Sequence, residues 1–361
     1  MRRFILGITL LIALIGALGL YWYTRPLPVL TVTSWAGPYG RAQASAQMRP
    51  YAADRSVNIH LAEWDGDLAE LSRAVTSHIY KGDVIDFELP KAIEACRQGL
   101  LEKFDPASLP AGDDGAPAAR DFVPGALGEC WVGSVVYSQA ILFAKDKFAD
   151  AQPASLADFF DTVKFPGPRA LKQGAKFNLE MALLADGISP HDIYKTLEGD
   201  DGVARALRKL DTLRPSLLWW HGGSEPAKLI QNGQAVFSTV LNGDIFDART
   251  DMPGVIWDRQ LYEFDVFGVP KDDPRKDMAM DFIRYATGSQ PLAHVANWVA
   301  LGPARRSAWP LVGKNPELGI AMAPWLPTSH FANAFAVDDG WWLIHGPALE
   351  ARFQAWLTAP H

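Results

Sequence analysis

Residues 29–99 decide the fold, because three short apolar runs there alternate with helical patterns: Val-Leu-Thr-Val-Thr-Ser (29–34), Val-Asn-Ile-His-Leu-Ala (57–62) and Asp-Val-Ile-Asp-Phe-Glu (83–88). A polar, Ala-rich stretch over 41–48 separates the first two runs, and residues 68–75 carry apolar side chains at helical spacing. A third helix is predicted from Pro90 to Gly99. Strands that alternate with helices build a parallel sheet, with a ligand crevice beyond the carboxyl ends of its strands.

The rest of the chain predicts a second α/β unit. The strand-like run from Val132 to Ala144 exceeds a typical strand of ~5–6 residues and is predicted to cross between the units. Residues 155–247 again alternate strands and helices, and the run from Tyr262 to Pro270 is predicted to return to the first unit. About 335 residues follow the N-terminal segment, enough for two domains. The predicted division is lobe one over 26–138 plus 265–310, and lobe two over 139–264 plus 311–361.

The N-terminal segment predicts export. Arg2 and Arg3 precede an almost wholly apolar run from Phe4 to Tyr23, and positive charges ahead of such a run stay in the cytoplasm. Two alternatives are open: a cleaved signal peptide over residues 1–25, or an inner-membrane anchor over residues 4–23. A run of this length is enough to span roughly 30 Å of hydrocarbon. In both cases the rest of the chain is expected in the periplasm.

The composition is that of a soluble globular protein with a mild acidic surplus. The chain has 48% hydrophobic residues, 21% charged residues and a formal net charge of -7. This argues against a nucleic-acid partner, which would require a clustered basic face. Its histidines and cysteines show no metal-ligand spacing, so neither a metal nor a cofactor is expected. Cys96 and Cys130 are predicted to form a disulfide in an oxidising compartment, the alternative being a free catalytic thiol.

Six stretches of the chain resemble the spermidine/putrescine-binding family among the solute-binding proteins of ABC importers. They are Gly133–Ser138, Phe165–Leu171, Asn178–Gly187, Trp219–Trp220, Val240–Gly243 and Gly302–Arg306. The resemblance implies a type II periplasmic binding protein fold, α/β and two-lobed, in which each lobe is a mostly parallel sheet flanked by helices. It also implies a monomer that closes on a small solute, catalyses no reaction and delivers the solute to the membrane subunits of an ABC permease.

The resemblance also implies where the ligand binds. Polyamine sites of this family combine aromatic rings, which pack on methylene groups and cations, with carboxylates that pair with ammonium groups. Trp35 and Tyr39 fall at aromatic positions of that pattern, and Asp265 falls at an acidic one. Trp35 also directly follows the first predicted strand, which independently favours a place at the ligand crevice.

The chain departs from the family pattern at four positions. Gly174 and Phe177 stand where the second lobe of polyamine binders carries acids, Leu241 stands at an aromatic position, and Ala300 stands at a tyrosine. The second ammonium site of a polyamine is therefore expected to be missing.

Basic residues near these departures suggest a different ligand. Asp265 would bind a cationic end, and Lys172, Lys176 or Arg305 would bind an anionic end. This arrangement favours a small zwitterion, such as a γ-amino acid, or a mono-amine. A polyamine is the alternative.

Five further residues lie at predicted strand ends and are candidates for ligand contact. They are Glu88, Trp220, His221, Asn242 and Asp244. For the acids and Asn242 the alternative is helix capping, and for Trp220 it is packing in the core.

Two rival functions use the same fold. One is an exported enzyme, which would require a free cysteine nucleophile or clustered acids. The other is a receptor subunit that senses a solute for a membrane partner, which an N-terminal anchor would suit.

Overall fold

The computed structural model describes residues 26–63, 66–148, 150–251 and 254–359. The apolar run over 4–23, predicted as a signal peptide or an anchor, lies outside these residues. Among the helices that the structure describes, none has the length and apolar character needed to cross a membrane.

The described residues contain one mixed sheet. Its strands β1 to β10 are, in chain order, Val29–Ser34, Asn58–Glu63, Val84–Glu88, Val132–Phe143, Arg169–Lys172, Leu217–Trp220, Phe237–Leu241, Gly254–Gly268, Gly302–Pro303 and Phe335–Ala336. The main path runs β2-β1-β3-β8-β4-β7-β5-β6, while β9 pairs with β4 and β10 pairs with β8. We call β1, β2 and β3 the first half of the sheet, and β5, β6 and β7 the second half.

Each half is parallel, but the strands between them are not. The pairs within each half run parallel, whereas β8 runs antiparallel to β3 and β4 runs antiparallel to both β8 and β7. The predicted α/β architecture is confirmed. A mostly parallel sheet was expected in each lobe; the pairs within each half are parallel, but the sheet as a whole is mixed because the two long central strands run antiparallel to their neighbours on the main path.

Helices cover the sheet. In chain order, α1 to α14 are Pro38–Gln43, Arg49–Arg55, Leu68–Ser77, Leu89–Arg97, Ala118–Asp121, Leu156–Phe160, Asn178–Ala185, Ile193–Leu197, Asp200–Asp211, Glu225–Gln231, Asn242–Asp247, Lys276–Ala286, Ser289–Trp298 and Asp339–Thr358. A π-helix, Ala44–Met48, joins α1 to α2. Short 3-10 helices span Pro106–Ser108, Lys145–Phe148, Pro190–Asp192, Arg214–Ser216, Ala248–Asp251, Arg306–Leu311, Ala323–Trp325 and Pro327–His330.

Capping side chains set where several helices begin. Asp67 Oδ1 accepts a hydrogen bond from the Ala69 amide at 2.8 Å at the start of α3. Ser155 and Asp158 form a reciprocal capping box at the start of α6. Each bond satisfies an amide that the first helical turn leaves without a partner.

The central strands β4 and β8 carry the chain between the two halves. They are 12 and 15 residues long, and the long β4 confirms the strand predicted from Val132 to Ala144. Their pairing shifts register between Gly133 and Val135, and again between Gln139 and Ile141. Such irregularities bend a strand pair and increase its twist, so the sheet changes direction where it passes from one half to the other.

Each half has its own hydrophobic core. The core of the first half includes Leu30, Phe87 and Phe282, and that of the second half includes Leu179, Phe237 and Phe353. All six side chains are buried. The buried apolar residues around the two halves therefore form two separate clusters.

Cys96 and Cys130 form a disulfide with their Cα atoms 5.8 Å apart, which confirms the predicted pairing. The bond joins the end of α4 to the segment before β4. Closing a loop of this size stabilises the fold by roughly 3–4 kcal/mol in the chain-entropy account. Neither cysteine is free.

Candidate functional site

A cavity of about 290 Å³, called the cleft below, lies between the two halves of the sheet. Ten residues line it: Trp35, Tyr39, Glu88, Tyr137, Leu241, Asn242, Gly243, Asp244, Asp265 and Leu301. Several of these positions follow or end strands β1, β3 and β7, which is where a crevice is expected in an α/β sheet.

Two larger cavities lie elsewhere. One, of about 620 Å³, lies within the first half beside Leu71 and Tyr80. The other, of about 680 Å³, lies beside Ile230 and Ala235 of the second half. Neither is lined by residues of both halves, so only the cleft among these three could be closed by a movement of one half toward the other.

Carboxylates gather on one face of the sheet at the cleft. Glu88 of β3 lies directly opposite Asp265 of β8, and Asp86 lies opposite Phe267 in the same antiparallel ladder. Because side chains two residues apart on a strand share a face, Asp86, Glu88, Glu263 and Asp265 all project to the same side.

Asp86 lies beneath the cleft and is fully buried. Its Oδ2 accepts a hydrogen bond from Gln43 Nε2 at 2.5 Å and lies 3.1 Å from Ser34 Oγ. Burial raises the pKa of Asp86 to about 7, although these hydrogen bonds oppose the shift. Burial also raises the pKa of Asp265 well above its usual range, and the charges of Asp86, Glu88 and Glu263 add to that effect.

Aromatic rings accompany these acids. Trp35, Tyr39 and Tyr137 line the cleft, and the hydroxyl of Tyr39 lies 3.2 Å from Ser134 Oγ. Burial raises the pKa of Tyr39 far above its usual value, and Asp86 and Asp265 reinforce the shift. Tyr39 therefore remains neutral and presents a ring and a hydroxyl to the site. Such a site can bind a cation in two ways: the ring faces attract its positive charge, and the carboxylates accept charge-assisted hydrogen bonds from it.

The second half contributes the opposite wall. Asn242 is buried, and both ends of its side chain bind the protein itself: Oδ1 accepts from the Ser138 amide at 2.8 Å, and Nδ2 donates to the Ala300 carbonyl. Asn242 thus positions the end of β7 against β4. Asp244 is partly exposed, and burial together with Asp247 raises its pKa to about 6. Asp244 places a carboxyl group on the wall that faces Asp265 and Glu88.

The two candidate lysines have different surroundings. Lys176 Nζ pairs with Glu263 and, at 2.6 Å, with Asp339. Burial lowers the pKa of Lys176, but these two carboxylates together raise it above its usual value. Lys172 lies at the end of β5 with its Nζ 5.9 Å from the ring centre of Trp220.

The charges of both lysines act on Glu88. Desolvation raises the pKa of Glu88 and Glu263 adds to the shift, whereas Lys176, Lys172 and Lys91 oppose it. Of the two candidate lysines, only Lys176 has ion-pair partners among the described residues.

Three other predicted residues lie away from the cleft. Arg305 is 1% exposed, pairs with Asp121 at 3.0 Å and lies over the ring of Phe122. Trp220 is 1% exposed, and its Nε1 donates to Thr239 Oγ1 at 3.2 Å. His221 is exposed beyond β6. The arrangement of Arg305 and Trp220 fits a structural role, and we leave all three out of the site.

Sequence reasoning missed several contributors. Tyr137 and Leu301 line the cleft, and Asp86 and Glu263 set its charge. Tyr137 belongs to the Gly133–Ser138 stretch, but an apolar run does not reveal which face of a buried strand meets the crevice. The alternation of Asp86 and Glu88 along β3 was a readable signal that both acids share one face.

Comparisons with known proteins identify the class. Residues 47–319 match the family of bacterial extracellular solute-binding proteins, and the chain belongs to that family. The predicted resemblance to solute-binding proteins of importers is thereby confirmed, and an extracellular family agrees with the predicted export.

Three relatives illustrate the similarity. The γ-aminobutyric acid (GABA)-binding protein of Pseudomonas aeruginosa is 35% identical over 329 residues, which cover 91% of this chain and 90% of the relative. The solved structure of the Atu4243 GABA receptor is 30% identical with a TM-score of 0.73, and the match covers 92% of this chain and 98% of the receptor. A spermidine/putrescine-binding protein of Streptococcus pneumoniae is 13% identical with a TM-score of 0.70, over 91% of this chain and 99% of its own, which shows a shared fold alone.

Proposed function

We propose that this protein captures a small γ-amino acid, with γ-aminobutyric acid as the leading candidate, and delivers it to an ABC permease. The observation that carries the proposal is the lining of the cleft: three carboxyl side chains and three aromatic rings, with no Lys, Arg or His among the ten lining residues. Such a lining favours an ammonium group. Two relatives named for GABA, at 35% and 30% identity, support this choice of ligand.

The ammonium end is assigned to the first half of the sheet. Asp265 and Glu88 would accept its hydrogen bonds, with Trp35 and Tyr39 against its charge. A hydrogen bond between charged groups is stronger than one between neutral groups, and a cation over a ring gains ~0.5–2 kcal/mol.

The carboxylate end is assigned to Lys172. This lysine ends β5 in the second half, and its charge counteracts the upward shift in the pKa of Glu88. We further propose that lobe one, 26–138 plus 265–310, and lobe two, 139–264 plus 311–361, close on the solute. A ligand favours the closed state only through contacts that both lobes make.

A polyamine is the second candidate, and one feature favours it. Asp244 faces Asp265 and Glu88 from the opposite wall, so the cleft has acids at both ends and could hold two ammonium groups. Under this alternative Lys172 would weaken binding rather than strengthen it.

We propose that the chain works in the periplasm as a monomer, that residues 4–23 direct its export, and that it releases its solute unchanged. The described cysteines are joined in a disulfide and offer no thiol nucleophile. Because acids do cluster in the cleft, the absence of catalysis must itself be measured.

A thermal-shift series tests the function. The purified protein would be heated with γ-aminobutyrate, n-butylamine, putrescine and butyrate, and a ligand at a hundred times its Kd adds roughly 2.7 kcal/mol to the unfolding free energy. The proposal expects the largest shift with γ-aminobutyrate, a smaller one with butylamine and none with butyrate. A larger shift with putrescine would favour the polyamine candidate. Recovery of γ-aminobutyrate unchanged after prolonged incubation would separate binding from catalysis.

A further inference from the structure

Asp86 and Asp265 form a carboxyl pair that no basic side chain offsets. Asp86 is fully buried and Asp265 is 7% exposed. Among the ion pairs of the described residues, none involves either group, and Lys176, which pairs with Glu263 on this face, also pairs with Asp339.

The groups that face this pair are acidic or neutral. The acidic groups are Glu88 on β3 and Glu263 on β8. The neutral groups are Ser34 on β1, Tyr39 and Gln43 on α1, and Ser134 and Tyr137 on β4. Beyond the pair itself, two further carboxyl groups therefore act on Asp265, whereas the neutral groups supply hydrogen bonds. Two carboxylates that share a buried site cannot both ionise without a large cost.

The hydrogen bonds around Asp86 leave room for a proton. Ser34 Oγ lies 2.5 Å from Gln43 Oε1 and 3.1 Å from Asp86 Oδ2, yet a hydroxyl group has one proton to donate. The shorter contact takes that proton. A proton on Asp86 would then complete the longer contact, with the carboxyl donating and Ser34 accepting.

We propose that Asp86 is a positioning residue of the solute site that holds a proton in the empty cleft, on the same face of the sheet as Asp265, and that an ammonium group bound at Asp265 displaces this proton into solvent. The proposal rests on the proposed function, because it requires a cationic solute. The reaction is balanced: the ammonium group of the ligand enters beside the two acids, one proton leaves for the solvent, and the positive charge next to Asp86 and Asp265 is replaced one for one.

Because a proton is exchanged for an ammonium group, Asp86 influences which solutes bind although it does not contact the solute. A solute with no positive charge cannot take the place of the proton, so the pair rejects anionic and neutral analogues. Affinity for an ammonium solute rises with pH for as long as the empty pair still holds its proton, and then levels off.

Calorimetry of the purified protein tests the exchange. γ-Aminobutyrate is titrated at a pH just below neutrality in buffers with different ionisation enthalpies, and the dependence of the measured heat on the buffer gives the number of protons released. We expect close to one proton per ligand for the natural protein, and less than half of that for Asp86→Asn. The matched control is Asp273→Asn, a buried acid of the first half that lies away from the cleft; it should release as many protons as the natural protein.

Titration of the unliganded protein gives a second readout. Carbon NMR of the side-chain carboxyl groups should show Asp86 and Asp265 titrating as a coupled pair in two steps. Two carboxyl groups that stay ionised from mildly acid to neutral pH, or ligand binding without proton release, would overturn the proposal. If the coupled titration is seen but γ-aminobutyrate does not bind, the coupling of Asp86 and Asp265 is confirmed and the proposed ligand is wrong. The titration and the natural-protein calorimetry decide the matter even if Asp86→Asn does not fold.

Discussion

Glu88 and Asp265 lie directly opposite each other on β3 and β8, so that two acidic side chains meet across one antiparallel strand pair. Like charges in this arrangement destabilise a sheet. The pair is therefore a cost to the empty protein that an ammonium group between the two carboxylates would offset. Under the proposed function, these two carboxyl groups bind the ammonium group of the solute.

Replacing Asp265 separates binding from stability. We expect Asp265→Asn to weaken γ-aminobutyrate binding by roughly 10- to 150-fold, since a hydrogen bond to a charged group contributes ~1.5–3 kcal/mol. The same change should raise the unfolding free energy of the empty protein by up to about 1 kcal/mol, because it removes an acid whose ionisation is disfavoured by burial and by the neighbouring acids Asp86, Glu88 and Glu263. Calorimetry and urea unfolding measure the two effects.

The control for this variant is Asp277→Asn, which removes an equal charge from an exposed position on α12. It should leave binding unchanged. If the two variants bind alike, Asp265 does not contact the solute.

Trp35 tests the aromatic wall. Trp35→Leu should weaken binding by about 2- to 30-fold, the equivalent of the ~0.5–2 kcal/mol that a ring face gives a cation. Trp35→Phe keeps a ring and should lose less. Equal losses for Leu and Phe would mean that Trp35 contributes bulk rather than a ring face, and unchanged binding in both would remove it from the site.

Lys172 tests whether the solute has an anionic end. Lys172→Met should weaken binding of γ-aminobutyrate about 5-fold, corresponding to roughly 1 kcal/mol for a partly exposed ion pair. Binding of n-butylamine, which has no carboxylate, should be unchanged or tighter. The comparison needs no second variant, because each ligand controls for the other. Equal weakening of both ligands would show that Lys172 acts through the fold and not on a carboxylate.

Stability should fall as the pH rises. Burial raises the pKa of Asp86 and Glu180 to about 7, and burial with Glu263 raises that of Asp339 to about 8. These groups have pKa values near 4 in an unfolded chain. Between those limits the folded protein holds more protons than the unfolded one, so the unfolding free energy decreases with increasing pH. Urea unfolding from about pH 5 to about pH 8 should show this decrease.

A variant locates part of that pH dependence. Asp339→Asn leaves Lys176 paired with Glu263 alone and should make the decrease shallower near the upper end of the range. Asp192→Asn changes an exposed acid and should not alter the slope. A natural protein whose stability rises over this range would show that these acids are ionised when folded.

Much of the first half could be predicted from local patterns. The predicted strand over 29–34 coincides with β1, and the one predicted over 83–88 differs from β3 by a single residue at its start. Trp35, Glu88 and Asn242 line the cleft, as expected for residues that directly follow or end a parallel strand, and their contact with a solute stays a prediction.

The surroundings of the candidate basic residues depend on partners that are far away in the sequence. Lys176 was predicted as one of three candidates for the anionic end of the solute, and it pairs with Glu263 and Asp339, which come much later in the chain. Arg305 likewise meets Asp121 across a long separation. A single sequence shows the charge of each residue, but it does not show which charges the fold will pair.

The crystal structure of the protein with γ-aminobutyrate tests the central claim most directly. We expect the ammonium nitrogen within hydrogen-bond distance of Asp265, against the ring of Trp35, with the carboxylate directed to Lys172. A ligand bound with its ammonium group at Lys172, or one seated in the larger cavity beside Leu71 and Tyr80, would contradict the account.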